Sequence, residues 1–355
     1  MKRVIPCLVL LFTFCNKLPI GEEELTLRGD FTAQYVELSP YLNLTEYRNI
    51  TLGTSSNLIV GKNNEYESRI LLKFGFPDSV SEGLDEIKLI LYRNERFKKD
   101  TITFSIHLLT ARFEETEATW LKKTNIEAWS TQGGDFEEDS IRFGEISADS
   151  LLVFFNYIEL DKIRTADGLI IIPEDSGFVG FYSKEGGNAP KFQLVKNNSV
   201  TSIPIQADCY ILTGPEPFYI ESWVGSGMAY RNYLKFNYDT LLNDKKAVYA
   251  ELTLKPEKYF SMRDSIEIGV KELLEPLNGF NTPTGPIIAL EKFAVDDTLF
   301  SIDVVRHVQR IIDYPDSNFG FFIYLSPETY DISNIKFITN LHHLKIGYIT
   351  PPQER

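Results

Sequence analysis

At 355 residues, with 43% hydrophobic and 13% aromatic residues, the chain has the length of about two domains and an ordinary globular composition. Its formal net charge of −14 disfavours nucleic acid, whose binding depends on neutralising phosphates. The three cysteines, Cys7, Cys15 and Cys209, give no disulfide framework, so stability must come from apolar cores.

The chain opens with "MKRVIPCLVLLFTFCNK", in which Lys2 and Arg3 precede a short apolar run over residues 4–14. About 20 residues are needed to cross a bilayer, so this is an export signal and not a span. The run stops at Cys15-Asn16-Lys17 and resembles a bacterial lipoprotein signal, which makes Cys15 the candidate lipidated residue. The alternative is a plain secretory signal cut a little later. Residues 1–15 are thus a signal and 16–28 a tether. The expected location is the cell envelope (outer membrane or cell surface) or the medium, with membrane contact only through the lipid.

Further on, "SRILLKF" (68–74) returns as "RNYLKF" (231–236). In each, Leu72/Phe74 and Leu234/Phe236 share one face of a strand, and the basic residues share the other. Each copy follows a Val-Gly pair, Val60-Gly61 and Val224-Gly225, read as a turn. "IKLILY" (87–92) and "AELTLK" (250–255) follow in turn. Later, Gly168 matches Gly320 and Pro173-Glu174 matches Pro327-Glu328. Ordered matches of this kind predict a duplicated unit, 29–196 and 207–355. "ADCYIL" (207–212) is matched to "AQYVEL" (33–38), and the polar segment 197–206 is expected to be a linker.

Between these points the chain alternates short β-type runs, such as "TITFSIHLL" (101–109), with turn signals such as "TQGGD" and "EGGNAP". The fold class predicted is all-β: two tandem antiparallel β-sandwiches, jelly-roll-like, each with a short helix. The helices are expected within 155–166 and 301–313.

The first unit resembles a DNRLRE-type domain, a β-sandwich related to carbohydrate-binding modules. The pieces that carry the resemblance are "NLIVGKNNEYESRILLKFGF", "IKLILY", "ATW" (118–120), "AWSTQGGDF" (128–136) and "DGLIIIPEDSGFVGFYSKEGGNAPKFQLV" (167–195). The second unit is divergent: it lacks the Thr-Trp and Gly-Gly-Asp segments and has a Pro-rich loop at 275–287 instead. The resemblance implies an extracellular, non-catalytic, polysaccharide-linked role.

Catalytic patterns are scarce. "VGSGM" (224–228) does not fit the nucleophile elbow. His342 and His343 alternate across a strand and would not chelate one metal, and His107, His307, His342 and His343 are read as surface residues. The loop "GGDFEEDS" offers Asp135, Glu137 and Asp139 to Ca²⁺, the one cofactor considered, although a solvated turn fits the same residues. Arg69 and Lys73, with Arg231, Tyr233 and Lys235 in the second copy, form a stripe suited to a sugar chain, the alternative being salt bridges to the many carboxylates. Trp120 is expected in the core and Trp129 on the surface as a stacking platform. The leading reading is a non-catalytic glycan-binding module whose partner is a polysaccharide or cell-surface glycan. The alternatives are a structural or assembly component that meets other surface proteins, and a polysaccharide lyase or hydrolase.

Overall fold

The computed structural model describes residues 33–77, 83–97, 100–146, 148–238 and 241–350. The signal, Cys15 and the 16–28 tether lie outside the described residues. The described chain is all-β and antiparallel, with two short α-helices, α1 (Tyr157–Thr165) and α2 (Val305–Asp313). Helix α1 begins at a capping box formed by Asn156 and Glu159. The expected helix over 301–313 starts later, because residues up to Asp303 complete the strand Phe300–Asp303.

Two sandwiches are built to one plan. In the first, one leaf runs Arg142–Ile146, Ile102–Leu108, Leu169–Pro173, Glu67–Phe74, with Asn57–Lys62 and Gly177–Tyr182 continuing it. The other leaf contains Lys191–Lys196, Glu86–Tyr92 and Ser150–Phe154. In the second, the corresponding leaves run Thr284–Ala294, Ser265–Leu273, Phe321–Leu325, Met228–Lys235, Ser222–Ser226, Ser333–Phe337, and His343–Ile349, Lys246–Leu254, Phe300–Asp303. The register fixes the correspondence. Gly61 faces Ser68 and Gly225 faces Tyr230, so the Val-Gly pairs are equivalent, although they lie inside strands and not in turns. Gly168 and Gly320 both adopt positive φ, and a Cβ on either would stand 2.7 and 2.6 Å from the carbonyl oxygens of Leu72 and Leu234. Glycine is required at both for the same close approach.

The strands that complete the two sandwiches do not respect the expected division at 197–206. Ser199–Thr213 belongs to the first: its first half pairs with Lys191–Lys196 and its second half with Glu67–Phe74. In the second sandwich the same places are taken by Gln34–Leu38, beside His343–Ile349, and Leu42–Asn49, beside Met228–Lys235. The stretch equivalent to 207–212 is therefore 42–47 and not 33–38. The segment expected as a linker is largely strand. Pro204 is tolerated there because residues 199–204 pair on one side only, so its missing N–H faces away from the ladder.

Each sandwich buries its own core between its leaves. The first gathers residues such as Ile70, Leu72, Leu89, Phe104, Ile171 and Phe192, and the second Leu234, Phe236, Leu252, Ile268, Ile323 and Leu344. The first core also takes in Trp223, Met228, Tyr230, Met262 and Ile332 from the other half. Buried polar links reinforce this seam. The Asn334 amide donates to the Tyr66 hydroxyl at 2.7 Å, and the Asn57 amide donates to the Tyr330 carbonyl at 2.8 Å.

Candidate binding cleft

The outer face of the strand Glu67–Phe74 is not open. The loop from Thr110 to Asp139 folds over it and makes a separate apolar cluster of Leu71, Phe113, Ala118, Trp120, Trp129, Ile170, Cys209 and Ile211. Trp129, expected as a platform, is only 5% exposed, and its indole Nε1 donates to the Thr119 carbonyl at 2.9 Å. Trp120 is buried, as expected.

Arg69 is a strut for this covering loop. Its Nη1 donates to the Gly133 carbonyl at 2.9 Å, Glu67 binds its other side, and its guanidinium lies 4.7 Å from the Trp120 ring centre. Arg231 repeats the device. It donates to both Glu328 carboxylate oxygens at 2.8 and 2.7 Å and to the Phe280 carbonyl at 3.2 Å, with its guanidinium 3.9 Å from the Phe280 ring centre. Tyr233 is buried, with its hydroxyl on the Phe319 carbonyl, because the loop after Leu273 covers that face too. Lys73 and Lys235 are partly buried, and Lys235 sits 5.7 Å from the Tyr41 ring. The two arginines of the predicted stripe are thus internal braces, of the salt-bridged kind weighed as the alternative, and Tyr233 is buried beneath its covering loop.

The Gly-Gly-Asp loop is likewise committed to its own fold. Asp135 accepts from the backbone N–H groups of Ser130 and Thr131 at 3.0 and 2.9 Å, while Glu137 and Asp139 are exposed. Three of the four histidines are buried, which corrects their reading as surface residues. His107 contacts Ser105 Oγ and the Glu137 carbonyl, His307 meets Glu272, and His342 meets Ser222 Oγ at 2.7 Å. Burial pushes the His342 pKa down to about 4.

An open cleft lies instead where the exchanged strands cross between the sandwiches. Its volume is about 660 Å³, within the range of small-ligand sites. Tyr47, Arg48, Asn49, Ile50 and Thr51 line it from the outgoing crossover, Glu216 from the return crossover, and Glu117, Thr119, Leu121, Lys122 and Asn125 from the covering loop. Tyr47 is exposed and packs on Tyr230 with ring centres 6.4 Å apart. Partial desolvation and a hydrogen bond to Glu216 raise its hydroxyl pKa. Arg48 is steadied by Asn281 at 2.9 Å and by the Phe280 ring at 5.3 Å. Glu117 accepts from the Asn125 N–H at 2.9 Å, and Lys122 donates to the Asn125 carbonyl at 3.3 Å. Asn49 Oδ1 is buried and receives no hydrogen bond from the protein. Two cations and two carboxylates balance, so the cleft offers donors, acceptors and an aromatic ring without net charge. Sequence reasoning missed it because its walls meet only through the strand exchange.

No family model matches the chain, and no curated protein matches it. Among solved structures, the chain is weakly similar to the N-terminal CBM22-1–CBM22-2 tandem domain of Xyn10C from Paenibacillus barcinonensis, at 9% identity over 90% of this chain and 92% of that one. The TM-score is 0.18, and at that level the likeness carries no argument about fold or ligand.

Proposed function

We propose that the protein is a non-catalytic glycan-binding module of the cell surface, with its ligand in the crossover cleft. The observation that carries the reading is the cleft's lining: an exposed tyrosine ring beside hydroxyl and amide groups, with the guanidinium and ammonium of Arg48 and Lys122 balanced by the carboxylates of Glu117 and Glu216. A pyranose needs an apolar face to stack on and several polar partners for its hydroxyls. A neutral sugar suits the lining and also the acidic chain, which repels polyuronates at long range. Anchoring through Cys15, or secretion, would present the cleft outside the cell.

A glycan array followed by calorimetry tests this on residues 29–355. Tyr47→Ala and Lys122→Ala should each weaken binding about tenfold, the loss of roughly one stacking or hydrogen-bond contact. Unchanged affinity in both variants would remove the cleft from consideration, and release of shortened sugars would make the protein an enzyme.

A second reading, surface assembly, is favoured by the return crossover. There Phe218, Tyr219 and Ile220 are consecutive and exposed by 77%, 54% and 70%. Exposed apolar runs of this kind mark protein contacts. Replacing all three with serine should leave glycan binding intact and abolish any self-association seen by ultracentrifugation.

A further inference from the structure

One cluster of titratable groups shares no residue with the lining of the cleft. Glu115 comes from that loop, Glu185 from the short turn Lys184–Gly186, and Asp208 from the exchanged strand Ser199–Thr213. One carboxylate oxygen from each lies within 4.8 Å of the others. Ligands on opposite sides of a Ca²⁺ ion stand about 5 Å apart, given bond lengths of about 2.3–2.6 Å, so three such oxygens can share one ion.

The second observation is independent of that clustering. Asp208 is 1% exposed, and its Oδ1 is buried with no donor. Its other oxygen accepts from the Lys184 N–H at 2.9 Å, so the carboxylate is fixed in place with one oxygen unmet. A buried acceptor left this way costs free energy unless something supplies a positive partner. Burial, with the negative charges of Glu185 and Glu115 adding to it, pushes the Asp208 pKa up to about 7, against the Lys184 hydrogen bond and charge.

The Lys184 ammonium partly fills the gap. Nζ sits 2.7 and 2.6 Å from the two Glu115 oxygens and 3.2 Å from the Gln206 carbonyl, but makes no hydrogen bond to Asp208. One ammonium against three carboxylates leaves the ionised cluster two charges negative. The lysine side chain is 34% exposed, so it has a route to solvent. Withdrawing it would free Glu115 Oε2 and the Gln206 carbonyl, while Glu115 Oε1 still accepts from the Asp208 N–H at 3.1 Å. Asp208 Oδ1, Glu115 Oε2, Glu185 Oε1 and the Gln206 carbonyl then present four oxygens, and water would complete the 6–8 that Ca²⁺ takes.

We infer that Glu115, Glu185 and Asp208, with the Gln206 carbonyl, form a Ca²⁺ site in which the metal ion displaces the Lys184 ammonium. The ion ties the covering loop, the Lys184–Gly186 turn and the exchanged strand together, so it stabilises the first sandwich where the second half of the chain enters it. Mg²⁺, which demands octahedral geometry at about 2.0–2.1 Å, fits three ligands held by separate segments less well.

The test uses the full chain stripped with EDTA. Titration with CaCl₂ in a calorimeter should show one site with a Kd at or below about 1 mM, the range of extracellular calcium modules. Saturation should raise Tm by about 5 °C, and equal ionic strength supplied as NaCl should not. Lys184→Gln removes the competing ammonium and should tighten binding several-fold. Asp208→Asn and Glu185→Gln should each weaken it at least tenfold. Glu185 is the safer of the two for folding because it is more exposed. Absence of Ca²⁺ binding at about 10 mM in both the natural chain and Lys184→Gln, or an equal response to Mg²⁺, overturns the proposal and leaves Lys184 as a permanent counter-ion.

Discussion

Arg69 and Arg231 occupy the same position in the two sandwiches, and each donates Nη1 to a carbonyl of the loop that covers its strand, Gly133 in one and Phe280 in the other. The repeated motif is therefore a repeated brace. Arg231→Ala would leave Glu328 partly buried without its partner, and should cost about 2–4 kcal/mol. Denaturant melts measure the loss, and protease cutting within 274–283 should rise with it. A cost under about 0.5 kcal/mol would place Arg231 among ordinary surface ion pairs.

Trp129→Ala separates the buried reading of that residue from the platform first expected. Removing a packed indole should destabilise the protein by about 3–5 kcal/mol. Glycan affinity of the folded fraction should fall less than in Tyr47→Ala, since Trp129 does not line the crossover cleft and reaches it only through the Thr119 carbonyl.

The strand exchange predicts which fragments fold. Residues 50–213 contain every strand of the first sandwich, including Ser199–Thr213, and should give cooperative unfolding. Residues 29–196, the more obvious cut from the repeat, lack that strand and should not. Nuclear magnetic resonance dispersion on the two fragments distinguishes the outcomes, and a well-folded 29–196 would contradict the pairing described.

Two buried groups tilt stability with pH in opposite directions. Asp208 has a folded pKa raised to about 7, from a carboxylate value of 3.8, so between these values the native state holds the extra proton. Its contribution is greatest at low pH and is lost as pH rises through about 7. His342 has a folded pKa lowered to about 4, from 6.5, so the unfolded state holds the extra proton in that interval. Its contribution is present above 6.5 and is lost as pH falls toward 4. In EDTA, Asp208→Asn should therefore gain on the natural chain as pH rises from about 4 to 8, and His342→Gln should gain as pH falls from about 7 to 4. Urea melts across that range check both slopes.

If Cys15 carries the lipid, Cys15→Ser should release the protein from membranes into the soluble fraction. Membrane association unchanged in that variant would argue for another anchor.

Much of the fold was legible in local pattern. Alternation marked Glu67–Phe74 and Met228–Lys235, and Gly168 and Gly320 marked equivalent close approaches. The covering loop was not legible, because its turns have no periodicity, yet a signal existed. Leu71, Ile170, Cys209 and Ile211 put apolar groups on the outer face of adjacent strands, and strands buried on both faces read as near-continuous apolar runs such as Leu169–Pro173. The exchange was invisible for a different reason. Equivalent strands of a duplicated unit carry similar patterns, so either copy satisfies either sandwich, and only the register of Glu46 on Arg231 and Ile211 on Arg69 settles which does.

That register also sets a timetable. Gln34 pairs with Tyr348, so the earliest described strand finds its partner only when almost the whole chain has been made. Until then Gln34–Leu38 has no ladder of its own and the second sandwich stays open along that strand, whereas Leu42–Asn49 can pair as soon as Met228–Lys235 is made. Contacts this distant in sequence make for slow closure and a long interval in which bare strand edges can meet other chains. The first sandwich closes earlier, once residue 213 is available. Maturation should accordingly run in stages, an early one that hides Ile211 beside Arg69 and soon lays Glu46 on Arg231, and a late one that zips Gln34 onto Tyr348, with aggregation confined to the interval before that last step.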